Sequence, residues 1–311
     1  MNPWLPTSPC TPLTCAGHDG RTRGRAAAVV LLLAGCAFIL AGILGAPFVL
    51  LLGAVRRERL IRLWAYGVVR AFGIRVRVIG TPGAGTPGTL VVANHISWLD
   101  IPLVAAVFPG RMLAKSEIRN WPLLGRLAAV GGTLFVERER FRALPTTVRD
   151  IAAVLRGGSR VVAFPEGTTW CGCGGGRFGP AVFQAAIDAN ATIQPVRITY
   201  RTAPPRSTVA AGRTGPAVAA WAAGGGGRSP GHERAVPAEH TAPAGAAAFV
   251  GDDPLIASLW RVVTAAGLTA EIRVLPQIPA GDCPDRRTLA RLAQTAVAND
   301  SANRSPESVH H

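Results

Sequence analysis

Lysine is nearly missing from this 311-residue chain: Lys115 is the only one among 33 basic residues, and the rest are arginine. With 36 glycines, 25 prolines and abundant alanine, that skew reads as a GC-rich coding bias. The net charge of +15 is therefore discounted as a sign of nucleic-acid binding. Zinc-finger spacing, RNA-binding aromatic motifs and heptad repeats are absent, which excludes the common nucleic-acid and coiled-coil modules. No internal repeat is visible. Anionic phospholipid is the partner such a basic surface suits, and no nucleic acid is expected. The six cysteines (10, 15, 36, 171, 173 and 283) are scattered and form no disulfide framework. A chain long enough to bury a full core needs none, and the pattern fits a reducing compartment. Cys171-Gly-Cys173 offers two thiols of a metal site, but no nearby His or Cys pair completes it. No metal and no cofactor are expected.

Charge is missing altogether from residues 26–55, which lie between Arg21, Arg23 and Arg25 on one side and Arg56, Arg57 and Arg59 on the other. As one helix this run would measure about 45 Å, well over the roughly 30 Å of bilayer hydrocarbon. A single tilted span would put the two arginine clusters on opposite sides, against the positive-inside tendency. A re-entrant hairpin breaking near Gly42-Ile-Leu-Gly45-Ala-Pro47 would keep both on the cytoplasmic side, and is the reading preferred. The run is too long for a signal-peptide core and no clear cleavage site accompanies it. The domain assignment is a disordered N-terminus over 1–25 and a membrane-embedded helical hairpin or span over 26–59. Residues 60–74 are amphipathic, suited either to the interface, with Trp64 and Tyr66 at headgroup level, or to ordinary core packing.

From residue 60 onward, apolar β-branched runs alternate with helical periodicity. Strands are expected at 75–79, 89–93, 111–114, 133–136, 160–164 and 269–275. Helices are expected at 101–107, near 121–125, at about 141–156 and at 253–263. This predicts an α/β fold, a mixed and largely parallel sheet flanked by helices, over 60–201 and 251–300. Residues 202–250, rich in Ala, Gly, Pro and Arg, read as a flexible insertion, and 301–311 as a disordered tail.

The chemistry gathers at Asn94-His-Ile-Ser-Trp-Leu-Asp100. An imidazole takes a proton at neutral pH, and a carboxylate five residues on can fix its tautomer and offset the charge it gains. Residues five apart differ by about 140° on a helix, so the spacing demands a bend. His95 is placed where a strand ends and Asp100 where a helix starts, the sheet edge at which ligands bind. A plain N-cap role for Asp100 is the alternative. Three more patches follow in order: Gly132-Thr-Leu-Phe135-Val-Glu-Arg138, Phe164-Pro-Glu166-Gly167-Thr-Thr169, and Ile193-Gln-Pro195-Val196. Together the four resemble the motifs of the glycerolipid acyltransferase family, whose bacterial members include 1-acyl-glycerol-3-phosphate acyltransferases, across roughly residues 60 to 200.

The resemblance implies a membrane-bound enzyme that passes a fatty acyl group from acyl-CoA or acyl-carrier protein to a lysolipid hydroxyl. The acceptor would be 1-acyl-sn-glycerol-3-phosphate or another lysolipid, such as a lyso-ornithine lipid. The site would face the cytoplasmic side of a bacterial cell membrane. His95 would act as general base with Asp100 orienting it, and Ser97 has no nucleophilic role since no Gly-x-Ser-x-Gly elbow is present. Arg138 would fork onto a phosphate, and Lys115 would add a second cation or remain a solvated lysine. Glu166 is expected to bind a glycerol hydroxyl or to fix Arg138. Gly167 would let substrate approach, and Thr168 would face the acceptor or cap the next element. The glycine-rich stretch 170–178 departs from the motif; lacking the lysine of a P-loop, it reads as a linker. A non-catalytic membrane lipid-binding protein is the competing class.

Overall fold

A computed structural model describes residues 6–18, 20–83, 88–121, 125, 128–129, 131–137, 141–202 and 244–302. The sheet is built on β2 (Thr89–Ala93), a short apolar β-branched run buried at every position. Its neighbours, both parallel to it, are β5 (Val161–Ala163) and β6 (Thr192–Arg201). Beyond β5 lie β3 (Arg111–Lys115) and β4 (Leu134–Val136), again parallel. On the other side β6 pairs antiparallel with β7 (Thr269–Val274) and with the short β8 (Ile278–Pro279), and β1 (Arg75–Ile79) closes the edge parallel to β7. The order is β1-β7-β6-β2-β5-β3-β4. Successive β2 residues face opposite ways. Val91 and Ala93 join one apolar cluster, and Leu90 and Val92 join the other. This is the mixed, largely parallel sheet expected.

Each cluster is covered by helices that present an apolar stripe. The first takes in Val68 and Val69 of α3 (Ala54–Ala71), Leu103 and Val104 of α4 (Asp100–Val107), and Val262 and Val263 of α7 (Leu255–Thr264). The second takes in α5 (Leu144–Arg156), α6 (Ala181–Asp188) and α8 (Arg286–Ala302). Helix α5 shows the periodicity at work. Pro145 fits its first turn, and Val148, Ile151, Ala152 and Leu155 bury one face. Gly158 follows its end in the left-handed region, at φ +76°.

The uncharged run forms α2 (Arg25–Leu50), a 26-residue helix long and apolar enough to cross a membrane. It continues through the glycines where a break was expected. The chain turns at 51–53, and α3 returns antiparallel, with Gly35 against Phe72, Phe38 against Gly67 and Gly42 against Trp64. Those glycines serve close approach, not a bend: a Cβ at Gly35 would lie 2.4 Å from the Phe72 ring, and one at Gly42 would lie 2.2 Å from Trp64. Pro47 lies inside the helix, three residues from its end, and the N–H it lacks cannot bond the Ile43 carbonyl. Outward, Val30, Leu33, Leu44, Phe48, Leu51 and Leu63 stand at least 64% exposed.

Two boundaries differ from the expectation. The N-terminal stretch is structured in part: α1 (Pro12–Cys15) is a helical turn capped by Thr11, and Cys10 and Ala16 are buried. Arg21 and Arg23 hydrogen-bond the backbone at Ala266 and Thr264, and the Arg23 guanidinium reaches the carbonyls of Gly73 and Val263. Backbone pairing and buried small side chains hold a segment whose polar composition suggested none. At the other boundary, Ala244, Ala246, Ala247, Ala248 and Val250 are all buried, so the domain resumes before 251. The rest of the proposed insertion, 203–243, and the tail beyond 302 lie outside the described residues.

Candidate active site

Asn94 opens the turn by standing in for strand backbone. Its side-chain amide donates to the Ile198 carbonyl at 2.9 Å, and its oxygen accepts the Ile198 N–H at 2.8 Å. The chain then leaves the sheet, and His95 projects from the carboxyl end of β2. Helix α4 begins five residues later with Asp100, which is wholly buried. Its Oδ2 accepts from His95 Nδ1 at 2.8 Å, from the Ile96 N–H at 2.6 Å and from the Ser97 N–H at 2.8 Å. Its Oδ1 accepts from the Tyr200 hydroxyl at 2.6 Å. Asp100 thus ties down the turn before it and holds the imidazole at once; the N-cap role weighed from the sequence does not hold, because the cap of α4 is Leu99, with no side-chain cap bond. A carboxylate only accepts, so Nδ1 carries the proton and Nε2 is the nitrogen left for other chemistry. The ring side chain keeps 19% of its surface open and stacks on Phe164, centroids 4.2 Å apart.

Glu166 has backbone partners that the sequence did not suggest. It follows β5 on the same sheet edge but is buried, and its carboxylate accepts backbone N–H groups: His95 at 2.8 Å on Oε2 and Gly176 at 3.1 Å on Oε1. It ties the histidine turn to the glycine-rich loop. Burial pushes this carboxyl up to about 7, against the lowering effect of the two N–H bonds, and the Asp100 charge adds to the rise. Burial first, and then Asp100, also hold the Tyr200 phenol well above its ordinary range.

Gly167 takes φ +75°, a conformation that favours glycine, and its N–H closes a turn onto the Phe164 carbonyl at 3.1 Å. No helix begins at Thr168 or Thr169, since α6 starts at Ala181 after Pro180. The loop runs on so that the Trp170 N–H reaches the His95 carbonyl at 2.8 Å, and the Phe249 N–H reaches that of Ile96 at 3.0 Å. The linker reading of 170–178 is accordingly corrected, because this loop packs against the turn. A Cβ at Gly175 would stand 2.7 Å from Glu166 Oε1. Lys115 ends β3, exposed, on the same carboxyl edge and opposite Val136 of β4. Arg138, two positions beyond β4, lies outside the described residues.

Tyr200, Asn94 and the stacking role of Phe164 were not singled out from the sequence. For Tyr200 the signal was available: a tyrosine on a buried strand needs a partner for its hydroxyl. The partner, 100 residues away, is not readable without the sheet order.

Residues 75–199 match the Acyltransferase family. A lyso-ornithine lipid O-acyltransferase of Pseudomonas aeruginosa is 34% identical over 241 residues, 78% of this chain and 78% of its own. This chain belongs to the acyltransferase family. Other relatives of the acyltransferase include a 1-acyl-sn-glycerol-3-phosphate acyltransferase of Neisseria meningitidis. That protein is 40% identical over 145 residues, covering 46% of this chain and 56% of its own length. The fold is that of the LPA acyltransferase PlsC of Thermotoga maritima, with a TM-score of 0.58 at 17% identity over 90% of this chain and 98% of that one. The protein is an O-acyltransferase.

Proposed function

We propose that this acyltransferase carries a fatty acyl group from acyl-CoA or acyl-carrier protein to the free hydroxyl of 1-acyl-sn-glycerol-3-phosphate, giving phosphatidate. The observation that carries the reading is the His95–Asp100 pair, fixed at Nδ1 and open at Nε2. Nε2 takes the acceptor hydroxyl's proton as the oxygen attacks the thioester carbonyl. The tetrahedral intermediate then expels the thiolate, which collects the proton from the imidazolium, so ester and free thiol leave with the charge balanced. Such a base contributes roughly 10²–10⁴-fold in rate. No acyl-enzyme is needed. Lys115 and Arg138 are the cations assigned to the acceptor phosphate, since strands β3 and β4 are neighbours. Glu166 is assigned as a positioning residue, because both of its oxygens are occupied by backbone N–H groups.

The second acceptor is lyso-ornithine lipid, favoured by the Pseudomonas relative that matches 78% of each chain. Membrane attachment is assigned to the α2–α3 hairpin. Arg56, Arg59, Arg62 and Arg70 are exposed along α3, beside α2, and would be costly in hydrocarbon. The hairpin therefore lies shallow in the cytoplasmic leaflet, apolar face down and arginines at the phosphates. The test supplies labelled acyl-CoA to the protein in vesicles with lysophosphatidate, with lyso-ornithine lipid, or with no acceptor. Label in phosphatidate is the expected result. Label only in ornithine lipid moves the assignment to the second acceptor, and free fatty acid as sole product overturns both. The His95→Ala variant should lose transfer and still float with vesicles.

A further inference from the structure

We propose that Cys10, Cys15 and Cys171 form a site for one soft, thiophilic cation, zinc(II) or copper(I). Their three Sγ atoms lie within 4.8 Å of one another. Cys10 precedes the Thr11-capped turn of α1 and Cys15 is its last residue, so one short segment presents both. Cys171 comes from the loop that follows the Glu166 turn. The cysteines that look scattered along the sequence therefore meet, and the partners for Cys171 come from the N-terminal segment, with Cys173 left exposed.

Three observations point to a cation instead of a disulfide. A disulfide joins two sulfurs, whereas here three converge. A polar partner already faces one sulfur: the Thr14 hydroxyl lies 3.4 Å from that of Cys15. Access is graded, since Cys10 and Cys171 are buried while Cys15 is half-exposed and gives an ion its way in. Around an ion with metal–sulfur bonds of about 2.3 Å, tetrahedral thiolates stand roughly 3.8 Å apart, so each sulfur moves inward by at most about 0.6 Å. Thiolate ligands select zinc and copper(I) over hard cations. Binding releases the thiol protons, and no electron is transferred.

The position gives such an ion a consequence. Cys171 directly follows Trp170, whose N–H holds the His95 carbonyl, and Gly172 packs near Ile96 and Ala244. An ion there would clamp the N-terminal segment onto the loop that seats the histidine turn.

The experiment uses the full chain in detergent, reduced, stripped with a chelator and kept anaerobic. Cobalt(II), as a zinc surrogate, and copper(I) are titrated separately. Thiolate-to-cobalt absorption and the number of thiols reactive toward an aromatic disulfide reagent are the readouts. One equivalent of either ion should shield Cys15, the half-exposed thiol of the three, and so lower the reactive count by one, and cobalt(II) should add the thiolate absorption. C15S, at a half-exposed position that circular dichroism can check for folding, should abolish the effect. C36S and C283S should preserve it. An unchanged thiol count with both ions overturns the proposal. So does recovery, after removal of the reductant, of a disulfide joining two of the three in place of ion binding.

Discussion

Replacing Asp100 by Asn preserves shape and removes charge at the most densely bonded atom of the site. The amide oxygen would take the place of Oδ2, which accepts three N–H groups at 2.6–2.8 Å. The amide nitrogen would then face Tyr200, whose hydroxyl can turn to accept. The turn and the imidazole tautomer should both survive, and only the charge opposite the imidazolium is lost. Two unit charges 2.8 Å apart interact by about 6 kcal/mol at an effective dielectric of about 20, an upper bound for what disappears. A charge-assisted hydrogen bond, at roughly 1.5–3 kcal/mol, sets the lower bound. At about 1.4 kcal/mol per decade, kcat should fall by roughly 10- to 10⁴-fold. The assay is acyl transfer at saturating donor and acceptor, with thermal unfolding measured on the same sample. The double variant His95→Ala, Asp100→Asn should be no slower than His95→Ala alone, because Asp100 acts through the ring. Turnover within threefold of wild type in a folded Asp100→Asn protein would refute this reasoning, as would additive losses in the double variant.

Tyr200→Phe removes the 2.6 Å bond to Asp100 Oδ1; it should cost about 2 kcal/mol in urea unfolding and roughly tenfold in kcat, and wild-type values for both would be inconsistent with the assigned role. Glu166 binds its proton more tightly in the fold, where its pKa is about 7 instead of 4.5. Its stability contribution is therefore complete below about pH 4.5 and is lost as pH rises through about 7, on the order of 3 kcal/mol in all. Glu166→Gln should flatten that slope in denaturation at pH 5 and pH 8, and an unchanged slope would argue against the burial effect. Gly35→Ala drives a methyl within 2.4 Å of the fully buried Phe72 ring and should cost about 1–3 kcal/mol, read as a lower Tm in detergent; an unaltered Tm would mean the contact yields.

The elements legible in the sequence are those whose signal is local. Strands 75–79 and 89–93 fall where β-branched runs predict them, and the bend between His95 and Asp100 follows from spacing alone. What escaped depends on distant partners. The two N–H groups that Glu166 accepts come from His95 and Gly176, one of them 71 residues away. Gly42 reads as a helix breaker until Trp64 is seen to need its missing side chain. The thiols at 10, 15 and 171 carry no recognisable spacing because the segments presenting them meet only in the folded chain.

Phe72 touches Gly35 of the apolar helix and meets the Trp98 ring edge-on at 5.3 Å, inside the turn that bears His95. Trp98 in turn donates to Ser258 of α7 at 3.2 Å. If the hairpin seats in lipid as proposed, the height of the imidazole above the acyl chains would be set by rigid stacking, as by a keel, and not by a tether's slack. A lysolipid could then keep its tail in the leaflet while its hydroxyl reached the proposed base at fixed depth, and remodelling the keel would change which headgroups reach.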